Sequence, residues 1–419
     1  MTLDVSLHPC FNGGCAAGHG RVHLPVAPNC NVQCNFCNRK YDCVNESRPG
    51  VTSALLSPGQ AVHYLRQVRA ERPDITVAGI AGPGDPFATP DVTLDTFRRI
   101  REEFPDLLLC VASNGLNVAP YLDDLVALGA THLTVTVSAV DPARAGQVYA
   151  WVRPGKRVLR GAEAGAAMLE AQSATLRGAH ERGLIVKVNA IVIPGVNEDH
   201  MLDVAHYVKT LGADLLNLMP LCCVPGTPFE NASPPDPTDI RRLQDEAEAI
   251  LPQMRHCTRC RSDSVGKLGE AMPETLQEAL LDASRLPLEP DDERPCVAVA
   301  SREGMIVNQH LGEATTLLVY RPNGSGYAFV AARNAPPPGG GEERWRTLGR
   351  ILGDCRALLC SSAGPTPIRA LRGMGLEVLE TEGLIDDLLD AIYHSRSVPP
   401  PAQPHTCGAR CSGDGLGCA

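Results

Sequence analysis

The sequence predicts a two-part α/β protein: a partial (β/α)6 barrel, then a smaller α/β domain. Three observations carry this. Residues 21–250 alternate short apolar runs with amphipathic stretches six times, the pattern of parallel strands joined by right-handed helical crossovers. Six units fall short of the eight that close a full barrel. A polar, acidic, Pro-rich stretch at 273–294 then breaks the pattern, and CVAVAS at 296–301 starts a second alternation.

Each predicted strand is a short apolar run bounded by polar or turn residues. In order they are RVHLPVA (21–27), ITVAGI (75–80), LLLCVA (107–112), HLTVTVS (132–138), LIVKVNAIVI (184–193) and DLLNLMP (214–219). Between them, SPGQAVHYLRQVRAER, DVTLDTFRRIREEF, APYLDDLVALG and NEDHMLDVAHYVKTLG repeat apolar residues at three- and four-residue spacing, as helices with one buried face do. A site in such a sheet is expected beyond the C-terminal strand ends. The second alternation holds TTLLVY, YAFVAA, a helix around 342–352, RALLCSS and LEVLE, with PPPGGG (336–341) as a loop. The expected organisation is therefore a core at 1–272, a linker at 273–294, a domain at 295–395 and a Pro/Gly/Cys-rich tail at 396–419.

Composition narrows the function. The 419 residues carry 38 basic and 48 acidic side chains, a net charge of −10, which argues against a bulk nucleic-acid binder. Aromatics at 4% are too sparse for base-stacking platforms. No apolar run approaches the roughly 20 residues that span a bilayer. The start, MTLDVSLHPC, lacks a basic stretch followed by an apolar one, so no signal peptide is expected and the chain reads as cytoplasmic. Seventeen cysteines are many for such a chain. A secreted disulfide scaffold is short and even in cysteine count, whereas dense cytosolic cysteines are more often metal ligands or catalytic groups. Six lie within the first 43 residues, at 10, 15, 30, 34, 37 and 43, and three crowd the tail at 407, 411 and 418.

The sharpest motif is Cys30-Asn-Val-Gln-Cys34-Asn-Phe-Cys37, a C-x3-C-x2-C directly after the first strand. Three thiolates hold three irons of a [4Fe–4S] cluster and leave the fourth open for a substrate or cofactor. Phe36 is placed to shield such a cluster. The competing readings are three inert buried cysteines or a zinc site. On this motif the chain resembles the radical S-adenosylmethionine (SAM) superfamily. The resemblance implies that the open iron chelates SAM and that reductive cleavage yields methionine and a 5′-deoxyadenosyl radical. Gly82-Pro83-Gly84-Asp85-Pro86, after the second strand, resembles the family's SAM-amino segment, and otherwise is a plain turn. Ser113-Asn114-Gly115 after the third strand matches a ribose- or carboxylate-binding turn, and otherwise is an ordinary βα turn. Val188-Asn189-Ala190-Ile191 with Pro194-Gly195 resembles the adenine-facing strand, and otherwise is a core strand. The implied SAM contacts are Gly82, Gly84, Asp85, Ser113, Asn114, Asn189 and Ile191.

A narrower resemblance, to the family that builds the nitrogenase iron-molybdenum cofactor precursor, covers nearly the whole chain. It rests on His8-Pro9-Cys10, Asn38-Arg39-Lys40-Tyr41-Asp42-Cys43 with Asn45–Gly50, Thr136–Pro142, Asn217-Leu218-Met219-Pro220, and His256-Cys257-Thr258-Arg259-Cys260-Arg261 followed by Asp263, Val265, Gly266 and Gly269-Glu270. It implies that two further [4Fe–4S] substrate clusters are fused, with a carbide from a SAM methyl and an added sulfide, into an eight-iron product. Cys10, Cys43 and Cys110 match ligands of one cluster, Cys257 and Cys260 of the other. Any single cysteine also reads as a small buried hydrophobe. The family places histidines shortly after His-Pro-Cys; here alanine stands there, leaving Cys15 and His19 as rival third ligands of the second cluster. Glu46 and Arg48 are candidates for proton handling and carboxylate pairing, or an exposed pair. Cys222-Cys223 end the sixth strand, facing the cavity or packed in core. Residues 296–395 resemble a ribonuclease H-like cofactor-binding domain, where His310 reads either as a cofactor contact or as a plain surface histidine. Implied partners are an iron–sulfur donor scaffold, an electron donor such as ferredoxin or flavodoxin, and downstream cofactor carriers. The rival readings are a radical SAM enzyme with auxiliary clusters acting on an organic or peptide substrate, and a non-catalytic iron–sulfur carrier.

Overall fold

Runs of Val, Leu and Ile with both faces apolar belong in a sheet covered on both sides, and six of them form one here. The computed structural model describes residues 3–45, 50–286, 294–324, 326–394 and 398–401. Glu46, Arg48 and the tail cysteines 407, 411 and 418 lie outside the described residues. The chain divides into two compact units, Met1–Leu281 and Asp282–Ala419.

The first unit runs β1 (Gly20–His23), β2 (Val32–Cys34), α1 (Pro58–Glu71), β3 (Ile75–Ile80), α2 (Pro90–Glu103), β4 (Leu108–Ser113), α3 (Leu122–Ala127), β5 (Ala130–Thr136), α4 (Pro142–Val148), β6 (Tyr149–Val152), α5 (Gly161–Glu181), β7 (Ile185–Val192), α6 (Met201–Thr210), β8 (Leu215–Pro220), α7 (Pro237–Glu248), β9 (Val265–Gly266) and α8 (Glu274–Ser284). The sheet order is β8-β7-β5-β4-β3-β1-β9. Every neighbouring pair from β8 to β1 is parallel, and β9 closes the β1 edge antiparallel. β8 and β9 are the two ends of this sheet, so the barrel stays open as the six-unit pattern predicts. Val22, Ile80, Leu133, Val135, Val186, Val188 and Leu216 of its strands are all fully buried.

Two local differences have plain causes. The first strand stops at His23 rather than 27, because Pro25 has no N–H to give the ladder; an isolated bridge, Ala27 to Pro83, continues the pairing beyond it. β2 and β6 form a small antiparallel ribbon the alternation pattern did not announce. Within the stretch 273–294, expected as a linker, residues Glu274–Ser284 form helix α8, and the two units divide there at Leu281. Leu276, Leu280 and Ala283 recur at helical spacing and are buried, and the Thr275 hydroxyl donates to Glu71 at 2.8 Å.

The second unit runs β10 (Cys296–Val299), β11 (Ile306–Val307), β12 (Thr316–Asn323), β13 (Gly326–Asn334), α9 (Glu342–Ile351), β14 (Cys355–Cys360), α10 (Pro365–Arg372), β15 (Glu377–Glu380), β16 (Gly383–Leu384) and α11 (Ile385–Tyr393). Its mixed sheet has the order β13-β12-β10-β14-β15, with Trp345 of α9 buried against it. Among the described residues no helix is long and apolar enough to cross a membrane.

Candidate functional site

The C-x3-C-x2-C loop is stitched from within and anchored from outside. The Gln33 amide donates to the carbonyls of Cys34 at 3.1 Å and Cys37 at 2.5 Å. The Asn35 amide donates to Gln147 O at 2.7 Å, and β2 pairs with β6. Phe36 is buried beside Cys34 in an apolar cluster with Tyr149, Met168 and Ile191, against which Cys30 and Cys37 pack. Burial pushes the Cys30 thiol up to about 11, with Asp85 adding to it, and the Cys34 thiol well above its ordinary value, with Cys37 and Cys30 adding to it. Cys37 is raised by burial too, against the pull of Arg39. The Arg39 guanidinium faces Cys30, Cys37 and Cys43 at once. Three buried thiols sharing one cation are protonated by themselves, and give up their protons to iron. Among the described residues no three His, Cys, Asp or Glu side chains converge as one ion would require; a [4Fe–4S] cluster asks for one thiolate per iron, and this loop fits that demand.

The segments after β3 and β4 hold the loop from beneath. The buried Asp85 carboxylate accepts from Phe87 N at 2.9 Å, Asn114 N at 2.6 Å and the Ser113 hydroxyl at 3.0 and 3.1 Å. Burial raises its pKa while these donors lower it. The Asn114 amide in turn donates to Asn31 Oδ1 at 2.8 Å and Cys30 Sγ at 3.8 Å. Asp85 thus reaches the cluster loop through Asn114. Gly84 leaves no room for a side chain: a Cβ there would sit 2.1 Å from Asn29 O. Gly84→Ala should therefore displace the backbone leading to Cys30 and cost about 1–3 kcal/mol; thermal unfolding checks this, and an unchanged Tm would contradict it. Gly82 has φ +148° and faces the Ser262 hydroxyl. Asn189 lies on β7, and its Nδ2 donates to Asn45 O at 3.1 Å. Ile191 is buried, with its N–H on the Ser138 hydroxyl at 3.0 Å.

Inside the barrel lies a cavity lined from the inward-facing positions of the strands. Cys110 and Ala112 of β4, Lys187 and Asn189 of β7, and Asn217 and Met219 of β8 each sit two residues apart, the repeat of one sheet face. Cys10, Cys257 and Cys260 complete the wall with His8, Arg21 and His23. Burial raises Cys10 to about 11; Lys187 opposes this, and Cys260 and Cys257 add to it. Cys10 shares the cavity wall with Cys257 and Cys260 and lies close enough to feel their charge. Arg21 is buried and donates to Cys260 Sγ and to Gly266 O. Cys43 is not in the lining; its N–H bonds Pro83 O at 3.0 Å, and its thiol faces Arg39. Neither Cys15 nor His19 lines the cavity. The Cys15 thiol donates to Asn12 O at 3.2 Å on a half-exposed loop, and His19 lies within reach of Asp4. Cys222 is held by the guanidinium of Arg259, which also donates to Pro220 O. The Cys223 thiol donates to Ala232 O at 3.1 Å. In the second unit His310 caps a short turn, its Nδ1 accepting from Gly312 N at 3.0 Å.

Sequence reading missed His23, Arg21 and Lys187. A signal for Lys187 was present: a lysine within the apolar run LIVKVNAIVI is buried only with a purpose. The imidazoles here are neutral. His23 is lowered to about 4 by burial and then Arg21, and His132, whose ring packs at a tilt against His8 with centroids 4.4 Å apart, is lowered to about 3 by burial and then Lys187. Below pH about 6.5 the unfolded chain takes up a proton that folded His132 refuses, so stability falls as pH drops from about 6.5 towards 3, by up to about 1.4 kcal/mol per unit. His132→Phe should flatten that loss; equal slopes of Tm against pH in both proteins would contradict it.

Residues 24–208 match the family model of the radical SAM superfamily. Residues 293–395 match that of the dinitrogenase iron-molybdenum cofactor family. The FeMo cofactor biosynthesis protein NifB of Chlorobaculum tepidum is 47% identical over 100% of both chains. The protein of the same name from Klebsiella pneumoniae is 38% identical over 96% of this chain and 93% of its own. That from Azotobacter vinelandii is 36% identical over 94% and 89%.

Proposed function

The chain belongs to the NifB family of FeMo cofactor biosynthesis proteins, within the radical SAM superfamily, and from that premise we propose that it is the synthase that fuses two [4Fe–4S] clusters, with a carbide from a SAM methyl group and an added sulfide, into the eight-iron precursor of the nitrogenase cofactor. The observation that carries this reading is a cavity lined by four cysteines, Cys10, Cys110, Cys257 and Cys260, none of them from the C-x3-C-x2-C loop. An enzyme acting on an organic substrate has no need of ligands for two incomplete clusters in its substrate cavity.

The wall sorts into two ligand sets for the substrate clusters. Cys10, on the same wall as Cys257 and Cys260 and close enough to feel their charge, is grouped with them as one set. Cys110 and His23, both in the cavity lining on either side of Gly79, begin the other, and Cys43 completes it on turning its thiol from Arg39 into the cavity. This departs from the grouping that the sequence resemblance implied, which placed Cys10 with Cys43 and Cys110. Sets of two or three thiolates bind a cluster yet leave irons free, so the fused product is not locked in place.

Cys30, Cys34 and Cys37 hold the resident [4Fe–4S] cluster, which with SAM supplies an organic radical. Arg39 offsets the negative charge of the thiolates that face it. Asp85, through Asn114, keeps Cys30 in position, and Gly84 lets the two backbones touch. Lys187 and Arg21 bring positive charge to a cavity that must take anionic iron–sulfur cargo. An iron–sulfur donor scaffold, a low-potential electron donor such as ferredoxin or flavodoxin, and a downstream cofactor carrier complete the pathway. The second unit serves that hand-over.

The test is anaerobic reconstitution of the full chain, followed by SAM. About twelve irons per chain, the content of three [4Fe–4S] clusters, should bind. S-adenosylhomocysteine from methyl transfer and 5′-deoxyadenosine from radical formation should both appear. Binding of only about four irons, or formation of 5′-deoxyadenosine alone, would overturn the reading.

A further inference from the structure

The most deeply set thiol of the cluster loop is Cys34, 6% exposed. A cluster ligated there gains a negative charge on reduction in a dry setting, which disfavours the reduced state unless a donor faces the sulfur. One does. The Nδ2 of Asn45, itself 5% exposed, donates to Cys34 Sγ at 3.6 Å. Nothing among the described residues donates to the Asn45 Oδ1, so the sulfur is what this buried amide serves. A thiolate can only accept, which fixes the amide with its NH2 towards the sulfur.

Asn45 is also tied to the cavity. Its carbonyl oxygen accepts from Asn189 Nδ2 at 3.1 Å, and Asn189 Oδ1 accepts from Asn217 Nδ2 at 3.0 Å. Asn189 and Asn217 stand on neighbouring strands, opposite one another in register, and both line the cavity. Two asparagine side chains and then the main-chain carbonyl and side chain of Asn45 thus link the cavity wall to the loop's innermost thiol.

We propose that Asn45 is a positioning residue that sets the reduction potential of the SAM-binding cluster through Cys34, and that the Asn217–Asn189–Asn45 chain makes this potential respond to cargo in the cavity. The proposal rests on the cluster assignment above, but not on the fate of the cargo. Loading that shifts Asn217 or Asn189 alters the Asn45 backbone and with it the Nδ2–Sγ hydrogen bond, so that the cluster becomes easier to reduce once substrate is present.

The test is an EPR-monitored reductive titration of the full chain, reconstituted with and without cargo clusters. Asn45→Leu removes the donor at similar volume, and the cluster should become about tenfold harder to reduce, a fall of about 59 mV for one electron. Asn189→Leu should keep the cluster but lose the difference between loaded and unloaded protein. An unchanged potential in Asn45→Leu would overturn the tuning role. A loading-dependent shift that survives in Asn189→Leu would overturn the coupling, because charge acting through space needs no asparagine. If Asn45→Leu holds no cluster, Asn45→Asp, of nearly the same shape, is titrated and should fall further; loss of the cluster in both would make Asn45 structural and overturn the proposal. Failure of the function proposed above would appear separately, as absence of precursor with these potentials intact.

Discussion

Replacing Cys30, Cys34 and Cys37 together by alanine will abolish 5′-deoxyadenosine formation, to below the detection limit. The loop is pinned by Gln33, Asn35 and the β2–β6 ribbon, so the triple variant should keep its backbone and lose only its ligands. Three thiols buried in an apolar cluster are poor anions by themselves, held up by burial and by one another. Arg39 alone cannot hold all three ionised, so they await a larger positive charge. Assayed by chromatography of SAM products under dithionite, the variant should release no 5′-deoxyadenosine while its far-ultraviolet circular dichroism stays native. Continued release would place the radical chemistry elsewhere in the chain.

The second large effect falls on the cavity. Cys257→Ala should lower precursor formation by at least roughly a hundredfold, beyond what loss of an outer-shell partner costs a metal site, and Cys10→Ala should do the same. Both should keep the SAM-binding cluster. Cys15→Ala should stay within about twofold of the parent, because its thiol lies on a half-exposed loop against Asn12 O. Transfer of product to an apo-nitrogenase acceptor gives the readout. A large loss in Cys15→Ala with little change in Cys257→Ala would reverse the assignment.

The sheet was legible because strands buried on both faces leave near-continuous apolar runs, and all six such runs became β1, β3, β4, β5, β7 and β8. The Cys30–Cys37 loop was legible because its ligands are neighbours in sequence. The cavity was less so. Its wall draws one or two residues from each of several strands with period two, and within a buried run an inward residue looks like an outward one. Lys187 betrayed itself by charge; His23, at the end of β1, did not. Which cysteines share a cavity is a matter of tertiary contact: Cys10 and Cys260 are far apart in sequence, and only the folded chain shows that they line one cavity. Asp85 reads as a SAM contact in sequence, yet its carboxylate spends its lone pairs on Phe87, Ser113 and Asn114. Helix α8 was hidden by the acidic, Pro-rich stretch that follows it.

The claim at the centre of this account is that the cavity carries two substrate clusters on separate ligand sets, with Cys10 on the side of Cys257 and Cys260. Iron content by Mössbauer spectroscopy, on the reconstituted full chain, tests it in a single comparison. Cys257→Ala should lose about four of about twelve irons, and the Cys10→Ala/Cys257→Ala double variant should lose the same four. Loss of about eight irons in the double variant would put Cys10 on the other cluster and contradict the account.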